Sequence, residues 1–316
     1  MKKQLNIKII FLLLTVFVVS SCATREKYER PKDINENLFR TDALPKDSAS
    51  VASISWRSIF TDPVLQKHID QGLQNNLDIR IALQNIVSAE AYLKQSKAAY
   101  LPTLSVGPSY TFQTQSLNTQ LGQLSGDRQY NNLFDVSGDL SWEADIWGKM
   151  KAQEKAQLAQ YLGTVAAHKA VKSDLVAAIA SAYYQLLTLD EQKRIISETI
   201  ALRNKNLETT KALKEAGTLS EVAVQQSEAL VFNAQSLLID TDTQIALLEN
   251  AMSLLMGVPS QKIERSTLAQ QKMPAEYQLG FSASLLSNRA DVMASEYDLM
   301  AAFELSKAAK AQFYPT

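Results

Sequence analysis

Four carboxylates, Asp135, Asp139, Glu143 and Asp145, fall on one face of an alternating stretch over residues 134–149. Phe134, Val136, Gly138, Leu140, Trp142 and Ala144 take the other face. A strict period of two predicts a strand with one polar and one apolar side. The carboxylates do not come with the partners of a catalytic site. The two histidines, His68 and His168, fall on separate predicted helices, where a lone His is usually structural or solvated. The sequence carries no P-loop, no Gly-x-Gly-x-x-Gly, no nucleophile elbow and no metal-ligand cluster. The expected chemistry is therefore that of a polar surface. No enzyme activity, no cofactor and no metal is expected.

The other chemically distinctive residue is Cys22, the single cysteine in 316 residues. Lys2, Lys3 and Lys8 form a basic start, followed by an apolar run over residues 9–19 that only Thr15 interrupts. A membrane-spanning helix needs roughly 20 apolar residues, so this run predicts a signal peptide over residues 1–21. Val19-Ser20-Ser21-Cys22 resembles a bacterial lipobox. That resemblance implies cleavage before Cys22 and acylation of its thiol and new amino group. A lone cysteine forms no intramolecular disulfide. Residues 22–55, polar and carrying Pro31 and Pro45, read as a tether from the lipid to the folded body.

The elements that position these residues follow from composition and period. Only 10 Gly and 8 Pro predict long uninterrupted helices. Lys and Arg total 32 against 33 Asp and Glu, which leaves no concentrated basic face for a nucleic acid. Asp62-Pro63 signals a helix start, with one helix predicted to about Gln74 and a second from about Asp78 to Tyr100. Leu104, Val106, Pro108, Tyr110 and Phe112 then alternate with polar residues in a first strand. A polar loop over residues 115–132 leads to the acidic strand. Two strands of about 10 residues with a dyad pattern are the sequence form of a transmembrane β-hairpin, here over residues 103–145.

From Gly148 to about Glu215 a helix on the order of 100 Å is predicted. Its apolar seam runs through Leu175, Ile179, Ala182, Leu186, Leu189, Ile196, Ile200 and Leu207, with Lys193 and Arg203 interrupting. Gly217 suits a left-handed helix end, and Thr218 with Glu221 spells a capping box. A second long helix is predicted from Leu219 to about Met256. Its residues Val224, Val231, Leu238, Ile245 and Met252 lie seven apart, the 3.5-residue period of coiled-coil packing.

The chain also repeats itself. Residues 76–103 align with 289–316 at an offset of 213: Asp78 with Asp291, Ala89 with Ala302, Lys97-Ala98 with Lys310-Ala311, and Pro102-Thr103 with Pro315-Thr316. The reading is an internal duplication of helix, strand, strand, helix, helix. The first repeat is expected over residues 63–257. The second begins at about residue 284 and is expected to be incomplete, as in a fragment or a truncated product.

Several short motifs in order, spread over residues 56–316, resemble the TolC-like outer-membrane factor family, lipoprotein branch. They are Trp56, Phe60 and Asp62-Pro63-Val64-Leu65; Asn76-Leu77-Asp78 with Ala89; Trp142 to Gly148; Ala216-Gly217-Thr218-Leu219-Ser220; Leu255 to Pro259; and Leu285 to Asp291. Asn288-Arg289-Ala290-Asp291 departs from the family's usual Arg-Arg-Pro-Asp. The resemblance implies a mainly α fold with a transmembrane β-hairpin. Long coiled helical hairpins would form an α-barrel tunnel below the strands of an outer-membrane β-barrel. It implies a homotrimer in the cell outer membrane, lipid-anchored and extending into the periplasm. A periplasmic adaptor and an inner-membrane pump would be its partners, and small molecules such as drugs its exports. On this reading Asp135, Asp139, Glu143 and Asp145 line the duct, and Gly217, Thr218 and Leu219 form the adaptor-docking tip. The alternative is a lipid-anchored coiled-coil scaffold without channel activity, which accounts for Cys22 and the helices but not for two cleanly alternating strands.

Overall fold

The fold is described by a computed structural model over residues 27–30, 55–114, 116–125, 127–128, 130–271 and 289–316. The signal sequence, Cys22, most of the tether and the start of the second repeat lie outside the described residues. A one-turn helix α1 (Trp56–Ile59) precedes two helices whose starts are fixed by side chains. Asp62 caps α2 (Pro63–Asn75): its Oδ1 accepts the Val64 amide at 2.8 Å, and Pro63 has no amide to leave unpaired. Asn76 caps α3 (Leu77–Ala98) in the same way, accepting from Asp78 and Ile79 at 2.8 and 3.1 Å. Its Nδ2 also donates to the Leu255 carbonyl at 2.9 Å, so one residue starts one helix and satisfies the end of another.

Strands β1 (Thr103–Thr114) and β2 (Tyr130–Ser141) form an antiparallel ribbon, with a short helix α4 (Gln120–Ser125) in the connection. The chain then enters α5 (Lys149–Glu215), 67 residues and about 100 Å long. After a tight turn it returns in α6 (Glu221–Leu255). A 3-10 turn at Leu268–Gln270 and helix α7 (Ala290–Ala311) follow. Helix α7 has the bounds of α3 shifted by 213 residues, and both pack on α5.

Helix α5 meets different neighbours along its length and changes its side chains accordingly. Its first half buries Ala152, Ala156, Ala159, Gly163 and Ala166, spaced three and four apart. A Cβ at Gly163 would lie 3.4 Å from Tyr297 Cβ on α7, so small residues there allow close helix approach. The middle of α5 buries Leu175, Ile179, Tyr183, Leu186 and Leu187 against Leu65 and Ile69 of α2, Met252 of α6, and Met256 and Ile263 beyond it. Each large side chain so buried contributes roughly 1.5–3 kcal/mol. Beyond Asp190, α5 packs along α6. Val224, Val231, Ile245 and Met252 are buried at the expected seven-residue spacing, and Leu238 is partly buried. Thr241 joins the same seam because its hydroxyl turns back to the Leu237 carbonyl at 2.8 Å. Lys193 and Arg203, which interrupt the seam in sequence, cross to α6: Lys193 pairs with Asp242 at 2.6 Å, and Arg203 donates to the Leu230 carbonyl at 2.5 Å.

Three details differ from the sequence reading. Helix α6 begins at Glu221 behind Ser220, whose side chain makes no capping bond, and the Thr218–Glu221 capping box does not form. Glu221 pairs instead with Lys214 across the turn, and the Thr218 amide closes the end of α5 on the Leu213 carbonyl at 2.9 Å. The second strand stops at Ser141, four residues short of Asp145. Within the tether, Lys27–Arg30 is docked: Tyr28 and Arg30 lie against α7.

Candidate functional site

The register of the hairpin decides what its two faces are. Leu104, Val106, Pro108 and Tyr110 stand opposite Leu140, Gly138, Val136 and Phe134. Ser105, Gly107 and Ser109 stand opposite Asp139, Ser137 and Asp135. Over residues 104–110 and 134–140, apolar residues therefore share one face and polar residues the other; nearer the turn, Leu133 stands opposite Thr111 on the polar face and Asn132 opposite Phe112 on the apolar one. A slip of one residue would mix them. Tyr110 and Phe134 pack ring to ring at 5.0 Å, and the Tyr110 hydroxyl donates to Asn132 Oδ1 at 2.7 Å. Both strands are exposed along their whole length, and on the apolar face Val136 is 76% and Leu140 72% exposed. A bare apolar face of this extent marks contact with lipid or another protein. Among the described residues, no helix is long and apolar enough to cross a membrane, and no acidic, His or Cys cluster could hold a metal ion.

The four carboxylates divide into two pairs. Asp135 and Asp139 stand on the polar face of β2, opposite Ser109 and Ser105. Glu143 and Asp145 lie beyond the strand. Glu143 pairs with Lys149 at 2.6 Å. Asp145 accepts the amides of Met150 and Lys151 at 3.0 and 2.9 Å, at the N-terminus of α5. The residue that should cap this helix, Gly148, has φ of +75° and no side chain, so Asp145 supplies the missing acceptor from three residues upstream. In the sequence, a cap that continues the period of a strand is indistinguishable from one more residue of that strand.

The same junction is held by two tryptophans. Trp142 Nε1 donates to the Tyr100 carbonyl at 3.0 Å, where the first repeat leaves its helix. Trp147 Nε1 donates to the Pro315 carbonyl at 2.8 Å and stacks on Tyr314 at 4.8 Å, at the matching exit of the second copy. At the opposite end of α5, Gly217 has φ of +77°, its amide bonds to the Lys214 carbonyl at 2.9 Å, and open space surrounds its Cα. Gly217, Thr218 and Leu219 are all exposed at this tip.

A buried polar centre that the sequence did not disclose joins the shaft. Asp62 Oδ2 accepts from the Tyr183 hydroxyl at 2.7 Å, from Gln271 Nε2 at 2.8 Å and from Ser266 Oγ at 2.5 Å. Burial pushes the Asp62 carboxyl up, but the bonds from Ser266, Gln271, Tyr183 and the Val64 amide together hold it down at about 2. His68 beside it donates Nε2 to the Glu264 carbonyl at 2.7 Å. Arg265 bridges Asp190 of α5 and Glu249 of α6. Asp62, Tyr183, Ser266 and Gln271 spend their bonds on holding segments together, which is a structural role, while Nδ1 of His68 is buried without a partner. The centre's members are 62, 183, 266 and 271, and no sequence spacing brings such positions to one point.

An amphipathic ribbon set on a 67-residue helix is thus the feature to compare with known proteins. The profile of the family described as "Outer membrane efflux protein" matches residues 68–258. The chain belongs to the outer membrane efflux protein family. The match takes in most of α2, all of α3, the hairpin, and both long helices. It bears out the TolC-like resemblance, and the family is one of efflux proteins rather than enzymes. Among relatives of this chain, "Probable outer membrane lipoprotein SilC" of Salmonella typhimurium is 29% identical over 96% of the chain and 65% of its own length. "Solvent efflux pump outer membrane protein SrpC" of Pseudomonas putida is 31% identical over 96% of the chain and 65% of its own. The crystal structure of the open state of the Neisseria gonorrhoeae MtrE outer membrane channel superposes with a TM-score of 0.72 at 25% identity. It covers 92% of this chain and 63% of that one. The chain therefore spans about 65% of the length of the first relatives it matches.

Proposed function

We propose that this outer membrane efflux protein is a channel subunit that carries small molecules across the outer membrane. Its hairpin lies in the bilayer with the Leu104–Val136–Leu140 face toward lipid and the Asp135–Asp139 face toward a water-filled duct. The long helices continue the duct into the periplasm. The observation that carries the reading is the register, which gives a fully exposed ribbon one apolar and one polar side. Membrane strands need closure with further strands, because an open sheet edge leaves backbone groups unpaired in lipid. Closure with other copies, as a homotrimer, meets that need. It also covers the exposed apolar side chains of α6, among them Phe232, Ile239, Leu247 and Leu254. A periplasmic adaptor docks at Gly217, Thr218 and Leu219, and an inner-membrane pump loads the duct. Cys22 carries the lipid.

A bimane fluorophore at single positions tests the orientation in purified membranes. At Val136 it should be quenched by nitroxide-bearing lipid and at Asp135 by aqueous iodide. Iodide quenching at both positions would leave the hairpin in water and favour a lipid-anchored scaffold. The relatives named for solvent efflux support small apolar molecules as the exported class.

A further inference from the structure

Three exposed lysines stand at the helix ends below the hairpin. Lys97 is in the last turn of α3, Lys310 in the last turn of α7, and Lys151 in the first turn of α5. Lys97 and Lys310 are the same position in the two copies, at the 213-residue offset, and each precedes its Pro-Thr pair by the same spacing. The helix dipole favours a cation at a C-terminus, which would account for Lys97 and Lys310 on their own. Lys151 is at the other pole, where the dipole disfavours a cation, and the first turn of α5 holds no acid.

The neighbouring carboxylates do not balance these charges. Glu143 pairs with Lys149, Asp145 accepts the first amides of α5, Glu154 accepts the Tyr100 hydroxyl at 3.1 Å, and Glu304 faces Lys307 at 3.0 Å and Lys155 at 3.9 Å. Among the described residues, no ion pair engages Lys97 or Lys151. The two tryptophans mark where along the shaft this charge lies. Trp142 bonds to Tyr100 just past α3, and Trp147 to Pro315 just past α7, and Trp142 is 66% exposed. Exposed indoles beside a membrane strand belong at the headgroups, a zone about 5–8 Å deep beyond the hydrocarbon. Each lysine is within about 3 Å of rise from the end of its helix, and its long apolar stem can carry the ammonium into that zone.

We infer that Lys97, Lys151 and Lys310 form a basic belt that binds the phosphates of anionic phospholipid headgroups, directly below the hairpin. This rests on the proposed membrane hairpin and goes beyond it, because the hairpin asks only for an apolar slab whereas the belt selects a charged surface. Each lysine near such a surface raises affinity roughly fivefold, and salt screens the effect.

Tryptophan quenching in vesicles tests the belt in the full chain, with Trp142 and Trp147 as native reporters. Phosphatidylglycerol with brominated acyl chains, mixed with unbrominated phosphatidylcholine, should quench more strongly than the reverse mixture. The difference should correspond to a preference of at least tenfold for the anionic lipid, falling toward unity at about 1 M salt, where charges are screened within about 3 Å. Lys97→Gln/Lys151→Gln/Lys310→Gln should lose the preference and still be quenched by brominated phosphatidylcholine. Lys169→Gln/Lys172→Gln/Lys205→Gln, with the same change of net charge farther along α5, should keep it. Equal quenching by both lipids in the original protein, a preference that survives the first triple variant, or one lost equally in the second would overturn the belt while leaving the hairpin in lipid. Absence of quenching by either lipid would overturn the hairpin and the belt together.

Discussion

The Tyr183 hydroxyl donates to Asp62 at 2.7 Å across 121 residues of sequence. This bond ties the N-cap of α2 to the middle of the longest helix, and Ser266 and Gln271 bring the segment after α6 to the same carboxylate. Such a centre orders three stretches of chain around one charge. It works only while the charge is there.

Acid should therefore loosen the shaft through Asp62. Its carboxyl is held at about 2 in the folded protein, below the ordinary carboxylate range near 4. A depressed carboxyl gives stability that is complete above the unfolded value and is lost as pH falls from about 4 toward 2. The loss is of the order of 2 kcal/mol. Urea unfolding of the helical signal in detergent, at pH 6 and at pH 2.5, should show this component in the original protein. Asp62→Asn should be less stable at pH 6 and should lack the component. Equal pH dependence in both would remove Asp62 as its source.

Two glycines end the two long helices, and their replacement should differ. Gly217 and Gly257 both have positive φ, at +77° and +66°. A Cβ at Gly217 meets open space, whereas one at Gly257 would stand 2.4 Å from the Asn75 carbonyl oxygen. Gly217→Ala should cost only the left-handed backbone penalty, about 1 kcal/mol. Gly257→Ala adds a clash with the backbone at the end of α2 and should cost well over 2 kcal/mol. Gly217→Asn should recover part of the first loss, since Asn tolerates this conformation. Denaturant midpoints of the three variants check the ranking.

How much of this was legible in the sequence depended on whether the signal was periodic. The strand faces, the seven-residue seam of α6 and the 213-residue offset between α3 and α7 are repeats, and repeats survive in one dimension. Thr241 escaped because its polar type hides the fact that its hydroxyl is satisfied by its own helix. The end of β2 escaped because Asp145 keeps the parity of the strand while working as a helix cap. The Asp62 centre escaped because its members are brought together by packing alone. Cys22 lies outside the described residues, so its chemistry rests on the sequence.

Charge placed on the two faces of β2 should have opposite consequences. Val136 faces the apolar side and Ser137 the polar side, one residue apart. Under the proposed function Val136→Arg puts a guanidinium against lipid, at a cost of about 2–4 kcal/mol near the bilayer midplane. Ser137→Arg puts it in water. Assembly into a heat-resistant membrane species should fall sharply for Val136→Arg and hold for Ser137→Arg. Similar behaviour of the two variants would contradict the assigned faces.

The division of the four carboxylates gives the most selective test. Among the described residues, no ion pair engages Asp135 or Asp139 on the strand face, and rings of such carboxylates in a closed assembly favour cations. Replacing both with Asn should lower the cation-to-anion permeability ratio in planar bilayers without changing stability. Glu143 and Asp145 are engaged elsewhere, with Lys149 and with the first amides of α5. Asp145→Ala should leave selectivity unchanged and should destabilise the protein by about 0.5–2 kcal/mol, the usual loss of a helix cap. Glu143→Gln should also leave selectivity unchanged, because Lys149 already balances its charge. The pattern of responses discriminates: selectivity that moves with Asp145 but not with Asp135 would mean that the duct wall is the strand-to-helix junction, and that the polar face of the hairpin does not line it.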